Sequence, residues 1–280
     1  MSTLQHPVID LHLHTTASDG NLAPSALVER AQAAGITILS VTDHDTVAGL
    51  AEARAAAARL GVTLVTGIEM TAVERGRDVH MLGYFFDGTS RDLSAFLERQ
   101  RADRLRRVAE IGERLRELGV AVDVDALVTS GAARPERSIG RPQVADALVA
   151  SGHVRDRREA FDTLLGDDCP AYVPRRGSGP AGVIAVVRAA GGIVSLAHPG
   201  LLGMDALVPV LAAEGLAAIE VRHSDHDEAT ERHYRALAAR HGLAVSGGSD
   251  FHGEGLGRNA VIGAVTLSPE DFELLRARVP

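Results

Sequence analysis

Apolar positions along the chain follow two periods, and the two alternate. Short β-branched runs predict strands at VIDLHLH (8–14), ITILSVTDHD (36–45), VTLVTGIEM (62–70) and VHMLGYFF (79–86). Between the first two, Pro24 opens a helix whose apolar Leu27, Val28 and Ala31 share a face, and Gly35 stops it. An Ala-rich helix over 46–60 ends at Gly61. The rhythm resumes later with a helix from Pro180 to Ala190, a strand IVSLAHP (193–199) and a helix over 205–214. Then come a strand LAAIEVRH (216–223), a helix over 227–241, a strand LAVSGGSDFH (243–252), a last strand AVIGAVTL (260–267) and a terminal helix. This alternation predicts an α/β fold on a parallel sheet with crossover helices, either a barrel or doubly wound. No G-x-G-x-x-G follows a strand, which weakens a dinucleotide-binding version.

Residues 99–178 depart from the rhythm. A long Arg/Glu-rich helix over about 90–118 leads to a short VAVDVDAL segment and two further helices near 142–150 and 157–165, with Pro142 as a first helical residue. The segment reads as a helical, Arg-rich insertion that forms a substrate lobe, between a first barrel part (1–98) and a second (179–280). The segment AYVPRRGSGP carries the chain back to the body.

Composition narrows the setting. With 45% hydrophobic and 24% charged residues, the 280-residue chain is ordinary for a soluble globular protein. It contains no apolar run near the roughly 20 residues of a membrane helix, and its start lacks a basic stretch followed by an apolar core. A single cysteine, Cys169, excludes an intrachain disulfide framework and fits a reducing, cytoplasmic compartment. All 29 basic residues are arginine, so neither a P-loop lysine nor a Schiff-base lysine is available. The net charge of −8 argues against a general nucleic-acid coat. Residues 101–176 nevertheless hold 14 Arg against 13 Asp or Glu, while the remainder holds 15 against 24. A basic lobe beside an acidic body suits a small anionic substrate; a solvated helical surface laced with ion pairs is the plainer alternative.

The candidate chemistry lies at strand ends. His12 and His14 end the first strand, Asp43, His44 and Asp45 the second, and Glu69 the third. His80 lies on the fourth, His198 ends the fifth, Glu220 and His223 end the sixth, and Asp250 and His252 follow the seventh. The alternation in His12-Leu13-His14 turns both imidazoles to one face, where two can chelate one divalent ion. Parallel β/α folds build their sites at the carboxyl edge of the sheet. Seven of the twelve histidines, with acidic partners, share that edge. His6, His153, His226, His233 and His241 lack such support and are expected at the surface. Nitrogen and oxygen ligands without sulfur suit Mn²⁺, Fe²⁺ or Zn²⁺. A carboxylate such as Glu69 can bridge two ions about 3.5–4 Å apart, an arrangement suited to hydrolysis rather than redox chemistry.

The motifs DLHLHTTASDG (10–20), VTDHDT (41–46), GIEMT (67–71), VHMLGY (79–84), LAHPG (196–200), IEVRHSDH (219–226) and GGSDFHG (247–253) together resemble the polymerase and histidinol phosphatase (PHP) family. The resemblance covers essentially 8–100 and 170–265, in order. It implies a distorted (β/α)₇ barrel with three ions, manganese first among the choices, at its carboxyl rim. Carried over by position, one ion would take His12, His14, Glu69 and Asp250; a second would share Glu69 and add His80 and His198; a third would take Asp19, His44 and His252. The stretches SIGRPQVADALVASG (138–152) and CPAYVPRRGS (169–178) look like the subgroup acting on nucleoside 3′,5′-bisphosphates and trimming short RNA from the 5′ end.

The expected reaction is attack at the phosphorus on the 3′ oxygen, with the 5′ phosphate anchored. Arg141, at a helix start beside Pro142, is the first candidate for that anchor, since its fork matches phosphate geometry. Arg175 and Arg176 are weaker candidates. Asp250 and His223 are expected to be catalytic; the departing 3′ oxygen is expected to be either metal-bound or protonated by His223, which is also a candidate for contact with the substrate. The expected partners are a small nucleotide and short RNA, with no membrane and no obligate protein. The rivals are a histidinol-phosphate phosphatase, another phosphomonoesterase of the family, a DNA proofreading exonuclease domain and, from another class, a metal-binding regulatory protein without catalysis.

Overall fold

The computed structural model of the chain describes residues 6–254 and 261–280. Its strands are β1 (Ile9–Asp10), β2 (Ile38–Val41), β3 (Thr63–Glu74), β4 (Arg77–Tyr84), β5 (Ile193–Leu196), β6 (Ala218–Arg222) and β7 (Ala244–Gly247). They form one sheet in chain order. Backbone hydrogen bonds from Leu11 to Gly247 (3.2 Å) and from His14 to Phe251 (2.9 Å) bring β1 against β7 and nearly close a barrel. Gly248 lies at that seam, where an added Cβ would fall 2.4 Å from the backbone nitrogen of His12.

Two expectations need correction. The sheet is not wholly parallel, because β4 runs antiparallel to both β3 and β5. The reason is local: Arg75 and Gly76, at φ 50° and 78°, form a two-residue turn between the paired Glu74 and Arg77. Positive φ at both turn positions matches the hairpin geometry that suits twisted strands. The last expected strand, AVIGAVTL, also fails. Ala260 lies outside the described residues, and 261–267 makes turns and a single bridge from Leu267 to Ile9. Gly263 bends this segment at φ 71° and donates its N–H to Asp10 (3.2 Å) instead of to a strand.

Helices α1 (Pro24–Ala33) and α2 (Leu50–Leu60) follow β1 and β2. Gly35 and Gly61 adopt positive φ just beyond them, ending each as the sequence indicates. Around the second half lie α7 (Pro180–Ala189), α8 (Pro199–Leu202), α9 (Leu207–Glu214), α10 (Glu228–Arg240) and α11 (Pro269–Arg276). The barrel core is apolar and continuous, from Ile9 and Leu11 to Phe272 and Leu275.

Between β4 and α7 stand α3 (Arg91–Glu117), α4 (Val124–Ala133), α5 (Arg141–Ala150) and α6 (Arg157–Ala160), the last continued by a π-helical turn over Phe161–Leu165. The helix α4, which the sequence pattern did not predict, begins at Val124, halfway through the VAVDVDAL segment. Ser90 caps α3 by accepting the Leu93 N–H. Leu93, Phe96 and Leu97 of α3 join the barrel core, whereas Val108, Ile111 and Leu115 join a second cluster with Val124, Val144 and Leu148. One helix therefore belongs to both cores. Among the described residues, no helix is long and apolar enough to cross a membrane.

Candidate metal centre

Beyond β1, Leu13 bridges to Phe251 while the flanking His12 and His14 turn toward the acids of the neighbouring strands. Glu69, within β3, stands between them all. Its Oε2 lies 3.3 Å from Nε2 of both His12 and His14 and 3.1 Å from Nδ1 of His44. Its Oε1 lies 2.8 Å from His80 Nδ1 and 3.0 Å from His198 Nε2. The hairpin explains His80, since β4 returns beside β3 with His80 opposite Thr71. Asp250 brings Oδ1 to 3.2 Å from His12 Nε2 and 3.1 Å from His14 Nε2. Asp19 lies 3.6 Å from both His14 and His44 and 3.4 Å from His252.

All nine residues expected to be ligands thus meet on one rim. They fall into overlapping sets: His12, His14, Glu69 and Asp250; His14, Asp19, His44 and His252; and His44, Glu69 and His80, with His198 joined through Glu69. Both ring nitrogens of His14 and Nδ1 of His44 are buried without a hydrogen bond, although carboxylate oxygens stand close by. Two ligand atoms held about 2.1 Å from a shared cation lie roughly 3.0–3.4 Å apart, so these spacings fit donors converging on ions. The residues present therefore fit divalent metal.

The charges of the cluster are interdependent. Burial works against a charged imidazole at His14, yet Asp250, Glu69 and Asp19 outweigh it and push its pKa up to about 10. His12 is raised in the same way, against its burial, by Glu220, Asp250 and Glu69. Burial pushes His44 down to about 3, helped by His14 and Arg104. Asp19, Glu69 and Asp250 are held well below the usual carboxylate range despite burial, by the surrounding histidines. Protons on His12 and His14 thus occupy the position that a cation would take.

Several residues that the sequence marked only by position support the cluster. Glu220, fully buried, receives His12 Nδ1 at 2.8 Å and the His198 N–H at 2.7 Å. Asp43 accepts from the Thr15 N–H and from the hydroxyls of Thr15 and Ser18, which fixes the loop that carries Asp19. His198 and Asp250 have φ of 25° and 53°, conformations held at a cost only where the surroundings enforce them. His226, expected at the surface, is buried. Its Nε2 accepts the Gly200 N–H (3.2 Å), and Tyr234 donates to the Pro199 carbonyl (3.0 Å), so both clamp the turn after His198. His6, His153 and His233 are exposed and His241 is half-buried. His223 lies 3.3 Å from Asp250 Oδ2 through Nε2, and its Nδ1 accepts the Asp225 N–H at 3.1 Å.

Beside His44 and His80 opens a cavity of about 150 Å³. Arg141 and Arg175 line it, as do Arg104 and Arg107, two arginines of α3 that the reading did not single out. Arg104 donates to Asp45 (2.6 Å), and Arg107 and Arg141 donate to Asp78 (2.8 and 3.1 Å). Arg141 also stacks on Phe161 and Tyr172, with centroid distances of 5.6 and 5.7 Å. Arg175 is buried, and that burial, with Arg104 beside it, lowers its pKa to about 10. Arg176 instead points outward and pairs with Glu110 at 3.4 Å. A larger hollow of about 460 Å³ between the β3–β4 tip and the starts of α7 and α9 contains none of these groups.

The family profile described as PHP domain matches residues 10–130. A 3′,5′-nucleoside bisphosphate phosphatase from Chromobacterium violaceum is 36% identical over 93% of this chain and 93% of its own length. A 5′-3′ exoribonuclease from Haemophilus influenzae is 35% identical over 87% of this chain and 89% of its own length. A phosphoribosyl 1,2-cyclic phosphate 1,2-diphosphodiesterase from Eggerthella lenta is 37% identical over 88% and 94%. A solved structure from Bifidobacterium adolescentis, assigned to the metal-dependent phosphoesterases, superposes with a TM-score of 0.88 at 33% identity, covering 99% of this chain and 98% of that one.

Proposed function

Because the chain belongs to the PHP family of metal-dependent phosphoesterases, we propose that it hydrolyses the 3′-phosphate of nucleoside 3′,5′-bisphosphates and trims short 5′-phosphorylated oligoribonucleotides from the 5′ end. The observation that carries this reading is the arginine-lined cavity opening beside His44 and His80. A substrate with one phosphate at the rim and a second among the arginines meets both features at once. The helical insertion acts as the substrate lobe, and the lone Cys169 suits a cytoplasmic setting.

Three ions, with Mn²⁺ the first choice, would be held by His12, His14, Glu69 and Asp250, by Glu69, His80 and His198, and by Asp19, His44 and His252. When bound, such ions supply positive charge to the phosphoryl oxygens and lower the pKa of water. The protein's own residues set orientation and protons. Arg141 and Arg175, helped by Arg104 and Arg107, hold the 5′-phosphate and fix the distance to the reacting phosphorus. Asp250 accepts from His223, whose Nδ1 takes the Asp225 N–H, so the ring proton resides on Nε2 and faces the rim. That N–H can donate a hydrogen bond to the departing 3′ oxygen as negative charge develops there, the proton staying on the ring.

Phosphate release from adenosine 3′,5′-bisphosphate in Mn²⁺ tests the reading. The expected products are AMP and phosphate, with loss of turnover in Asp250→Asn. No release, with turnover instead of histidinol phosphate or phosphoribosyl 1,2-cyclic phosphate, would assign the site to another phosphoester.

A further inference from the structure

We propose that Asp78 is a counter-anion built into the arginine pocket, one that weakens its hold on the anchoring phosphate. The inference rests on the reading that a non-reacting phosphate occupies this pocket. Asp78 Oδ2 lies 2.8 Å from Arg107 Nη1, 3.1 Å from Arg141 Nη2 and 3.7 Å from Arg175 Nε. On β4 it precedes His80 by two residues, so both side chains leave the same face of the strand, and both line the cavity. Arg107 Nη2 and Arg175 Nε are buried donors without a hydrogen bond, and Asp78 Oδ1 is a buried acceptor without one. An oxyanion entering here gains the free donors and also meets a carboxylate. Each guanidinium edge turned to Asp78 is withheld from the ligand.

The chemistry gives this arrangement a purpose. The anchoring phosphate does not react, so it is carried unchanged from substrate to product. Beyond what positions the substrate, binding energy drawn from it is uniform: the surplus lowers KM without raising the rate of the chemical step, and in excess it retains product. Four converging arginines would hold a phosphate monoester tightly, and a fixed negative charge among them limits that grip while leaving the reacting end untouched.

Calorimetric titration of the full chain with AMP, its singly charged phosphate methyl ester and inorganic phosphate tests the proposal without requiring turnover. Electrostatic attraction scales with ligand charge, so Asp78→Asn should tighten dianionic AMP roughly tenfold and the methyl ester only about threefold. KM should fall with AMP Kd, and a steeper salt dependence should accompany the gain. Weakening of both ligands by the same factor would overturn the proposal, since Asp78 would then only align the arginines. Asp78→Ser serves as the second variant, and melting curves establish that the proteins compared are folded. Failure of both variants to fold, or no binding of any probe by the unmodified chain, would equally overturn it. Normal AMP binding without bisphosphate turnover would sink the proposed substrate while leaving the charge-graded result to decide the role of Asp78.

Discussion

Glu220 shows how much of this centre depends on residues that need not touch a metal. One oxygen fixes the ring of His12 through Nδ1, and the other fixes the backbone of His198, so a single carboxylate orients two expected ligands from different strands. Such supporting groups typically govern metal affinity by about 10–100-fold. Glu220→Gln should therefore lose metal on dialysis and recover most of its turnover at high Mn²⁺; full metal content after dialysis would contradict the role. The rim histidines were legible in the sequence because imidazoles recurring at strand ends are chemically distinctive and the strand period says which way they point. Glu220 was noticed only as a strand-end acid, since its partnership with His12 spans 208 positions and no local pattern records it. Asp45 and Asp78 were opaque for the same reason: their partners arrive on α3 and α5, helices whose docking the sequence does not express.

At the scale of elements, barrel closure concentrates on Asp10. This buried carboxylate accepts from the N–H groups of His12 (3.3 Å), Ser249 (2.9 Å) and Gly263 (3.2 Å) and from the Ser249 hydroxyl (2.6 Å). It ties β1 to the segments after β7, where strand pairing is thin. Asp10→Ala would leave several buried donors unsatisfied, at about 1–3 kcal/mol each before relaxation. A marked fall in the denaturation midpoint is expected even without metal, and an unchanged midpoint would show that other contacts close the barrel. The strand–helix alternation was readable because period and stop signals agree, as at Pro24 and Gly35. The reversal of β4 was not read, although Arg75-Gly76 carried its signal, because a short apolar strand has no intrinsic direction. The segment after β7 was mistaken for a strand because a short apolar run reads alike in a strand and in a buried turn.

For the whole molecule, the rim is a charge balance that either protons or cations can complete. In the metal-free chain the raised pKa values of His12 and His14 mean that folding favours their protonated forms. That contribution is full below the ordinary histidine value of about 6.5 and is lost as pH rises toward about 10, the value for His14. Over that window it amounts to a loss on the order of a few kcal/mol. The depressed carboxylates Asp19, Glu69 and Asp250 act at the other end, contributing above their ordinary values and losing that contribution as pH falls toward their folded ones. They are ionised across the alkaline window and do not change its sign. Divalent ions reverse the alkaline loss, because a bound cation replaces the protons and its apparent affinity grows about tenfold per pH unit for each proton displaced. Scanning calorimetry on chelator-treated protein should therefore give a Tm that falls between pH 7 and 9.5. Mn²⁺ should raise Tm more at pH 9 than at pH 6. A metal-free Tm that is flat or rising over that range would mean that protons on His12 and His14 do not hold the empty rim together.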